Sequence, residues 1–280
     1  MQGWVRAVTG ACLRMTEPTT GTRPLRIGCV AYLNARTLIE GLGDEIVLDH
    51  PSALAPALWS GQLDAALLPV RAILDHPGSL VVDGAGIASE GAVHSVVLAH
   101  RGPIQALGQV GLDPASVTSS QLLRVVLERF KGLQPVYVPG PAPENLDPPA
   151  TGEGLLKIGD QAIAFRARHG AEIDYLDLGE EWTQATGLPF IFALWCLRPG
   201  IAEPQGIANA LRDAMERGIA ALDVLVAGLP DPVFARDYLT RHIRHRIGAR
   251  ERAGLARFSR ELAAMGALPD DATPERWKWV

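Results

Sequence analysis

The sequence predicts an α/β protein of two lobes with a helical C-terminal section, and three features predict it. Short apolar runs alternate with helical patterns from residue 25 onward, the alternation that builds α/β sheets with largely parallel strands. Two long apolar runs, "HSVVLAH" at 94–100 and "FIFALWCL" at 190–197, stop before "RGP" and "PG" respectively. The roughly ninety residues between them are enough for one lobe inserted into another through two extended crossings. Beyond Pro199 the pattern turns helical, with Ile207, Leu211, Met215, Leu222 and Val226, and then Leu255, Phe258 and Leu262, at helical spacing. The division expected is a leader at 1–24, a discontinuous first lobe at 25–98 and 198–280, and a second lobe at 99–197. A cleft between such lobes is a favoured place for a ligand.

The elements follow in order. "LRIGCV" at 25–30 reads as a buried strand, followed by strands at 45–48, 65–68, 80–82 and 93–99, then 135–138, 155–158 and 190–197. Helices are expected at 52–60 and 119–130. The proline-rich stretch at 139–150 reads as a surface loop. In the tail, "GLPD" at 228–231 stops one helix and starts another, and no strand is expected there.

Composition narrows the function classes. The 280 residues are 48% hydrophobic and 20% charged, without a run of eighteen apolar residues, which fits a soluble globular protein with no membrane-spanning helix. A net charge of −5 argues against a nucleic-acid partner. Cys12, Cys29 and Cys196 are odd in number and widely spaced, which suits neither a disulfide framework nor a zinc site. His242 and His245 sit in the basic run "RHIRHR" at 241–246, read as a solvated helix face or turn rather than a metal site. Arg6 breaks the apolar N-terminal stretch and no hydrophobic region of signal-peptide length is present, so the expected location is cytoplasmic, with Met1 or Met15 as the start.

Small polar residues punctuate the strand ends. Asn34 follows the first strand, Ser89 and Gly91 precede the fifth, and Thr118, Ser119 and Ser120 open a helix. Gly159 and Asp160 follow "LLKI", and Thr186 and Gly187 precede "LPF". Each such residue can simply cap a helix. Several together, at the carboxyl ends of strands, point to a shared ligand site. The N-terminus at Thr118-Ser119-Ser120 offers free N–H groups, a positive dipole end and hydroxyls, a combination that binds carboxylate without Arg or Lys. Phosphate-loop, dinucleotide-turn, nucleophile-elbow and zinc-protease motifs are all absent from the sequence. Chemistry here must rest on positioning, hydrogen bonds and exclusion of water.

Six segments, "RIGCVAYLNARTLIEGL", "GQLDAALLPVRAIL", "IASEGAVHSVVL", "TSSQLLRVVL", "LLKIGDQAI" and "DLGEEWTQATGLPFIFALW", occur in this order from Leu25 to Trp195. As a set they resemble the chorismate dehydratases of the futalosine route to menaquinone. That resemblance implies a periplasmic-binding-protein-like fold of the second type. It also implies loss of water from chorismate to give 3-[(1-carboxyvinyl)oxy]benzoate, with neither metal nor organic cofactor. Thr37 departs from the proline usual after "YLNAR", which would loosen the helix start. The related dihydroxynaphthoate synthases typically end their first strand in "SPCPND", where this chain has "VAYLNA". That enzyme and a non-catalytic small-anion binding protein are the alternatives.

On this resemblance, Asn34 and Ser95 are the catalytic candidates, and Tyr32, Ser89, Gly91, Thr118, Ser119 and Asp160 the substrate-binding ones. Thr118, Ser119 and the N–H groups after them take one carboxylate of the dianionic substrate. Ser89, Gly91 and Ser95 take the other or the ether oxygen, and Asn34 orients the hydroxyl or the enolate. Asp160 lines the far lobe or caps its own helix. His94 alternates with Ser95 along the expected strand, so the two cannot share a cleft. The substrate's enolpyruvyl carboxylate is itself a possible proton acceptor.

Overall fold

The computed structural model describes residues 24–43, 45–113, 116–142 and 144–280. The expected leader, apart from Pro24, lies outside the described residues, as do Cys12 and the choice between Met1 and Met15.

The chain begins with β1 (Arg26–Cys29), a 3-10 helix (Leu33–Leu38), β2 (Glu45–Leu48), α1 (Pro51–Trp59), β3 (Ala65–Pro69), α2 (Val70–Leu74) and β4 (Leu80–Ser89). After a crossing at 90–95 come β5 (Val96–His100), β6 (Gln109–Leu112), α3 (Val117–Arg124) with a π-helical turn (Val125–Phe130), and β7 (Val136–Pro139). β8 (Glu153–Ile158), α4 (Gly159–His169), β9 (Asp174–Asp177) and α5 (Leu178–Thr186) follow. The chain returns through 187–189 to β10 (Phe190–Leu197). The tail comprises α6 (Pro204–Ala220), α7 (Leu222–Ala227), α8 (Pro232–Asp237), a second π-helical turn (Tyr238–His242), β11 (Arg244–Arg246), α9 (Ala249–Ala264) and β12 (Lys278–Trp279).

The strands form two sheets. One runs β11-β4-β10-β3-β1-β2 with β12 beside β4, and the other runs β7-β6-β8-β5-β9. Both are mixed rather than largely parallel. β1 pairs parallel with β2 and β3, but β10, returning from the other sheet, runs antiparallel between β3 and β4. β5 runs antiparallel between β8 and β9 for the same reason. Sheet membership moves the expected boundaries. β10, placed by the sequence in the second lobe, is a buried central strand of the first sheet, and β5 belongs wholly to the second. The chain changes sheets at 90–95 and at 187–189.

β5 starts at Val96, later than expected, because the Asp177 carboxylate takes the N–H groups of Val93 (2.9 Å) and His94 (2.7 Å). The bend puts His94 at a φ of +66°, which side chains other than glycine seldom adopt. β4 runs on to Ser89, well beyond 80–82, paired along β10. β6, β9, β11 and β12 are all strands the sequence reading lacks. In β11, Arg244 and Arg246 are exposed while His245 is buried, the alternation of an edge strand, so "RHIRHR" is not a solvated helix face.

An apolar core spans both sheets. At its join, Trp182 of α5 meets Phe190 of β10 and Phe258 of α9 edge to face, with centroids 5.2 and 6.0 Å apart. Such pairs add about 0.5–1.5 kcal/mol beyond their burial.

Candidate active site

The parted sheets leave a cleft of about 660 Å3, including its open mouth, at the carboxyl ends of β1, β3 and β8. Its walls are apolar, with Val30, Leu67, Ile87, Val96, Ile158 and Phe192 among them. Polar groups come from Tyr32, Asn34, Ser95, Ser116, Thr118 and Ser119. No Arg or Lys is among the described residues that line it. Five of the eight residues singled out from the sequence therefore meet in one cavity.

Asn34 is not a cap. The 3-10 helix has Tyr32 at its N-cap without a side-chain cap bond, and the Asn34 amide points inward instead. Its Nδ2 donates to the Tyr238 hydroxyl (3.3 Å), which donates to Ser95 Oγ (2.8 Å). One of the two amide hydrogens is thus committed within the protein, and the second is not used by this bond. Asn34 Oδ1, also buried, has no partner among the described residues. Ser95 is held by its backbone on both sides: its N–H donates to Val93 O (2.8 Å), and its carbonyl accepts from Gly159 N–H (2.7 Å).

Behind Asn34 stands His245. Its Nε2 lies 2.8 Å from Asn34 O and 2.7 Å from Thr37 Oγ1. A carbonyl can only accept, so Nε2 carries the hydrogen. Burial, aided by Arg246 and opposed by the bond to Asn34, pushes the ring down to about 4, so it is neutral at pH 7. Thr37 Oγ1 shares the Nε2 hydrogen, which links the 3-10 helix to β11. Gly218 of α6 packs so closely here that an added Cβ would lie 2.1 Å from Thr37 O.

α3, whose start also lines the cleft, is capped by Ser116, whose Oγ accepts from Ser119 N–H (3.3 Å). Thr118 Oγ1 accepts from Arg71 N–H (3.1 Å), which leaves its own hydrogen free to donate. The N–H groups of Ser119 and Ser120 both go to Ser116, to its Oγ and its carbonyl, so they are not the free donors the sequence suggested; what this helix start presents to the cleft is the hydroxyls of Thr118 and Ser119. Tyr32 packs its ring on Gly159, where a Cβ would lie 3.3 Å from the ring and φ is +56°. Burial first, then Asp113 and Asp160, push its hydroxyl up to about 12, so it remains a donor at neutral pH.

Three expected site residues lie elsewhere. Ser89 is buried outside the cleft lining against Gly179, whose added Cβ would sit 2.6 Å from the Ser89 Oγ. Gly91 spends its N–H on Thr183 Oγ1 (2.8 Å). Asp160 neither lines the cleft nor caps its own helix: its carboxylate accepts from Leu33 N–H at 3.0 and 3.3 Å, reaching from one sheet's elements to the other's. His94 faces away, its ring 5.2 Å from Phe234 and 5.4 Å from His242.

Tyr238 and His245 escaped the sequence reading. The Phe234/Tyr238 pair, four residues apart and stacked, marked a buried face, and the Arg-His-Arg alternation marked a strand. Neither signal says that these faces reach Asn34, about two hundred residues earlier.

Two sheets, two crossings and a cleft at the strand ends define a periplasmic-binding-protein-like fold, and solved structures agree. Protein AF1704 from Archaeoglobus fulgidus superposes with a TM-score of 0.67 at 15% identity, covering 87% of this chain and 98% of its own. The Candida albicans CA3427 gene product, described as having the generic periplasmic binding protein fold, gives 0.60 at 13% identity, covering 91% and 94%. A family model described as menaquinone biosynthesis matches residues 25–264. The chain belongs to that family. A chorismate dehydratase from Thermus thermophilus is 29% identical over 263 residues, 86% of this chain and 96% of the relative.

Proposed function

We propose that this protein is a chorismate dehydratase, acting in the cytoplasm on the futalosine route to menaquinone. One observation carries the reading: the ends of an Asn34–Tyr238–Ser95 hydrogen-bond chain and the hydroxyl-bearing start of α3 line the same apolar cleft. The likeness to the Thermus thermophilus enzyme supports it.

Chorismate has an apolar ring face, two carboxylates, an ether and a ring hydroxyl. The start of α3, with Thr118 and Ser119, receives one carboxylate, and the Tyr32 hydroxyl donates to the other. The apolar walls hold the ring and exclude water, which strengthens each bond to developing charge. The proton on the ether-bearing ring carbon is acidified by conjugation with the ring carboxylate. As that C–H bond breaks, its electron pair forms the ring double bond and the neighbouring C–O bond breaks. Hydroxide and the abstracted proton leave as one water, and the ring becomes aromatic. Ser95 donates to the departing oxygen, and Asn34 Oδ1 accepts from the substrate hydroxyl. The enolpyruvyl carboxylate of the substrate takes the proton from carbon and passes it to the departing hydroxide, and so is regenerated as the water leaves.

Incubation of the purified protein with chorismate, followed by mass spectrometry, tests the proposal. The expected result is a product lighter by one water with an aromatic absorbance. Unchanged chorismate would overturn it.

A further inference from the structure

Tyr238 makes no contact with the cleft, yet both bonds of its hydroxyl go to residues that line it. It reaches them from the C-terminal section, on a π-helical turn (Tyr238–His242). Such turns are rare and collect at functional sites. The direction of the bonds follows from chemistry. Asn34 Nδ2 can only donate, so the phenol oxygen accepts there, and its single hydrogen goes to Ser95 Oγ. Ser95 Oγ, having accepted, keeps its own hydrogen to donate, and Ser95 lines the cleft.

We propose that Tyr238 is a positioning residue: its hydroxyl sets the polarity of a chain Asn34 N–H to Tyr238 O–H to Ser95 O–H that ends as a donor to the departing hydroxyl of the substrate. The inference rests on the dehydratase reading above. Each bond in a chain of this direction polarises the next, so the phenol strengthens the Ser95 donor without touching substrate. Burial pushes the Tyr238 hydroxyl far above neutral pH, and the phenol keeps its hydrogen throughout the working range. The ring, stacked on Phe234 with centroids 6.0 Å apart, has packing of its own that a phenylalanine would retain.

The test is a cycle of Tyr238→Phe, Ser95→Ala and the double variant, with kcat and KM measured on chorismate. A purely structural hydroxyl would lower the melting temperature and leave kcat near wild type. The positioning role predicts kcat for Tyr238→Phe lower by about tenfold with KM within about twofold. It also predicts that the double variant is no slower than Ser95→Ala alone, because Tyr238 acts through Ser95. Wild-type kcat in Tyr238→Phe, or losses that multiply in the double variant, would overturn the inference while leaving the dehydratase reading in place. A wild-type protein that does not turn over chorismate overturns both. Should Tyr238→Phe fail to fold, 3-fluorotyrosine at position 238 supplies a more acidic phenol with the same contacts. A raised kcat at unchanged KM then supports the chain, and an unchanged kcat contradicts it.

Discussion

The carboxylate of Asp160, at the start of α4, accepts the backbone N–H of Leu33 in the 3-10 helix after β1, at 3.0 Å. It is a tie between the elements of the two sheets, placed beside the cleft and one residue from Asn34. Burial raises the Asp160 carboxyl above the usual carboxylate range, against the bond from Leu33 and the charge of Arg36. A raised carboxyl favours the protonated form in the native state. Its stabilising share is therefore present at acid pH and is lost as pH rises through the folded value. Asp160→Asn keeps an acceptor and has no such loss. Relative to wild type, its stability should rise as pH is taken from 4 upward and then level off, which denaturant unfolding at several pH values would show. A constant difference would contradict the assignment.

His245 works in the opposite direction. Its ring is buried neutral, with its titration moved from 6.5 to about 4. Between those values the unfolded chain binds the proton and the native state does not, so stability present above pH 6.5 is lost as pH falls toward 4. At 1.36 kcal/mol per pH unit the shift amounts to on the order of 3 kcal/mol. His94, also held down at about 4 by burial and Arg166, titrates in the same window. His245→Gln should remove part of the acid sensitivity, visible as a shallower fall of unfolding free energy from pH 6.5 to 4. An unaltered slope would mean that His245 is not buried neutral against Asn34.

Ser119 separates binding from folding. It sits in the first turn of α3, two residues after the helix begins, where a carboxylate is favourable toward the helix dipole. The same carboxylate would lie where the substrate's carboxylate is proposed to rest, and like charges in a water-poor cleft repel. Ser119→Asp is expected to melt within a degree or two of wild type and to lose chorismate affinity by calorimetry. Retained affinity would move the anion site away from α3.

What the sequence made legible was what is local. Asn34, after the first strand, and Thr118 and Ser119, at the opening of a helix, stand out because small polar residues at such junctions are conspicuous, whereas Ser95 was singled out only with the family resemblance. The same rule over-reached at Ser89, Gly91 and Asp160, since packing against Gly179, a bond to Thr183 and a tie to Leu33 use the same residue types. β6 (QVGL) and β9 (DYLD) hold only two apolar residues each, interrupted by glycine or bounded by aspartates, too little for an apolar run to register. Tyr238 and His245 were hidden for another reason: their roles exist only through contacts with the 3-10 helix that the chain returns to make near its end.

Asn34 carries the account's central claim, that this cleft dehydrates chorismate. Asp has nearly the same shape, and it is not a cap that is being replaced, so Asn34→Asp should fold with a near-normal melting temperature. It would replace the donor to Tyr238 with an acceptor, draw the phenol hydrogen away from Ser95 and set a negative charge toward a dianion. A hydrogen bond to a charged group is worth about 1.5–3 kcal/mol, which is about ten- to two-hundredfold in rate. The deciding measurement is the rate of chorismate dehydration by wild type and Asn34→Asp side by side, with melting curves. The account predicts turnover by the wild type and a kcat lower by at least tenfold in the folded variant. Equal rates in the two proteins would contradict it.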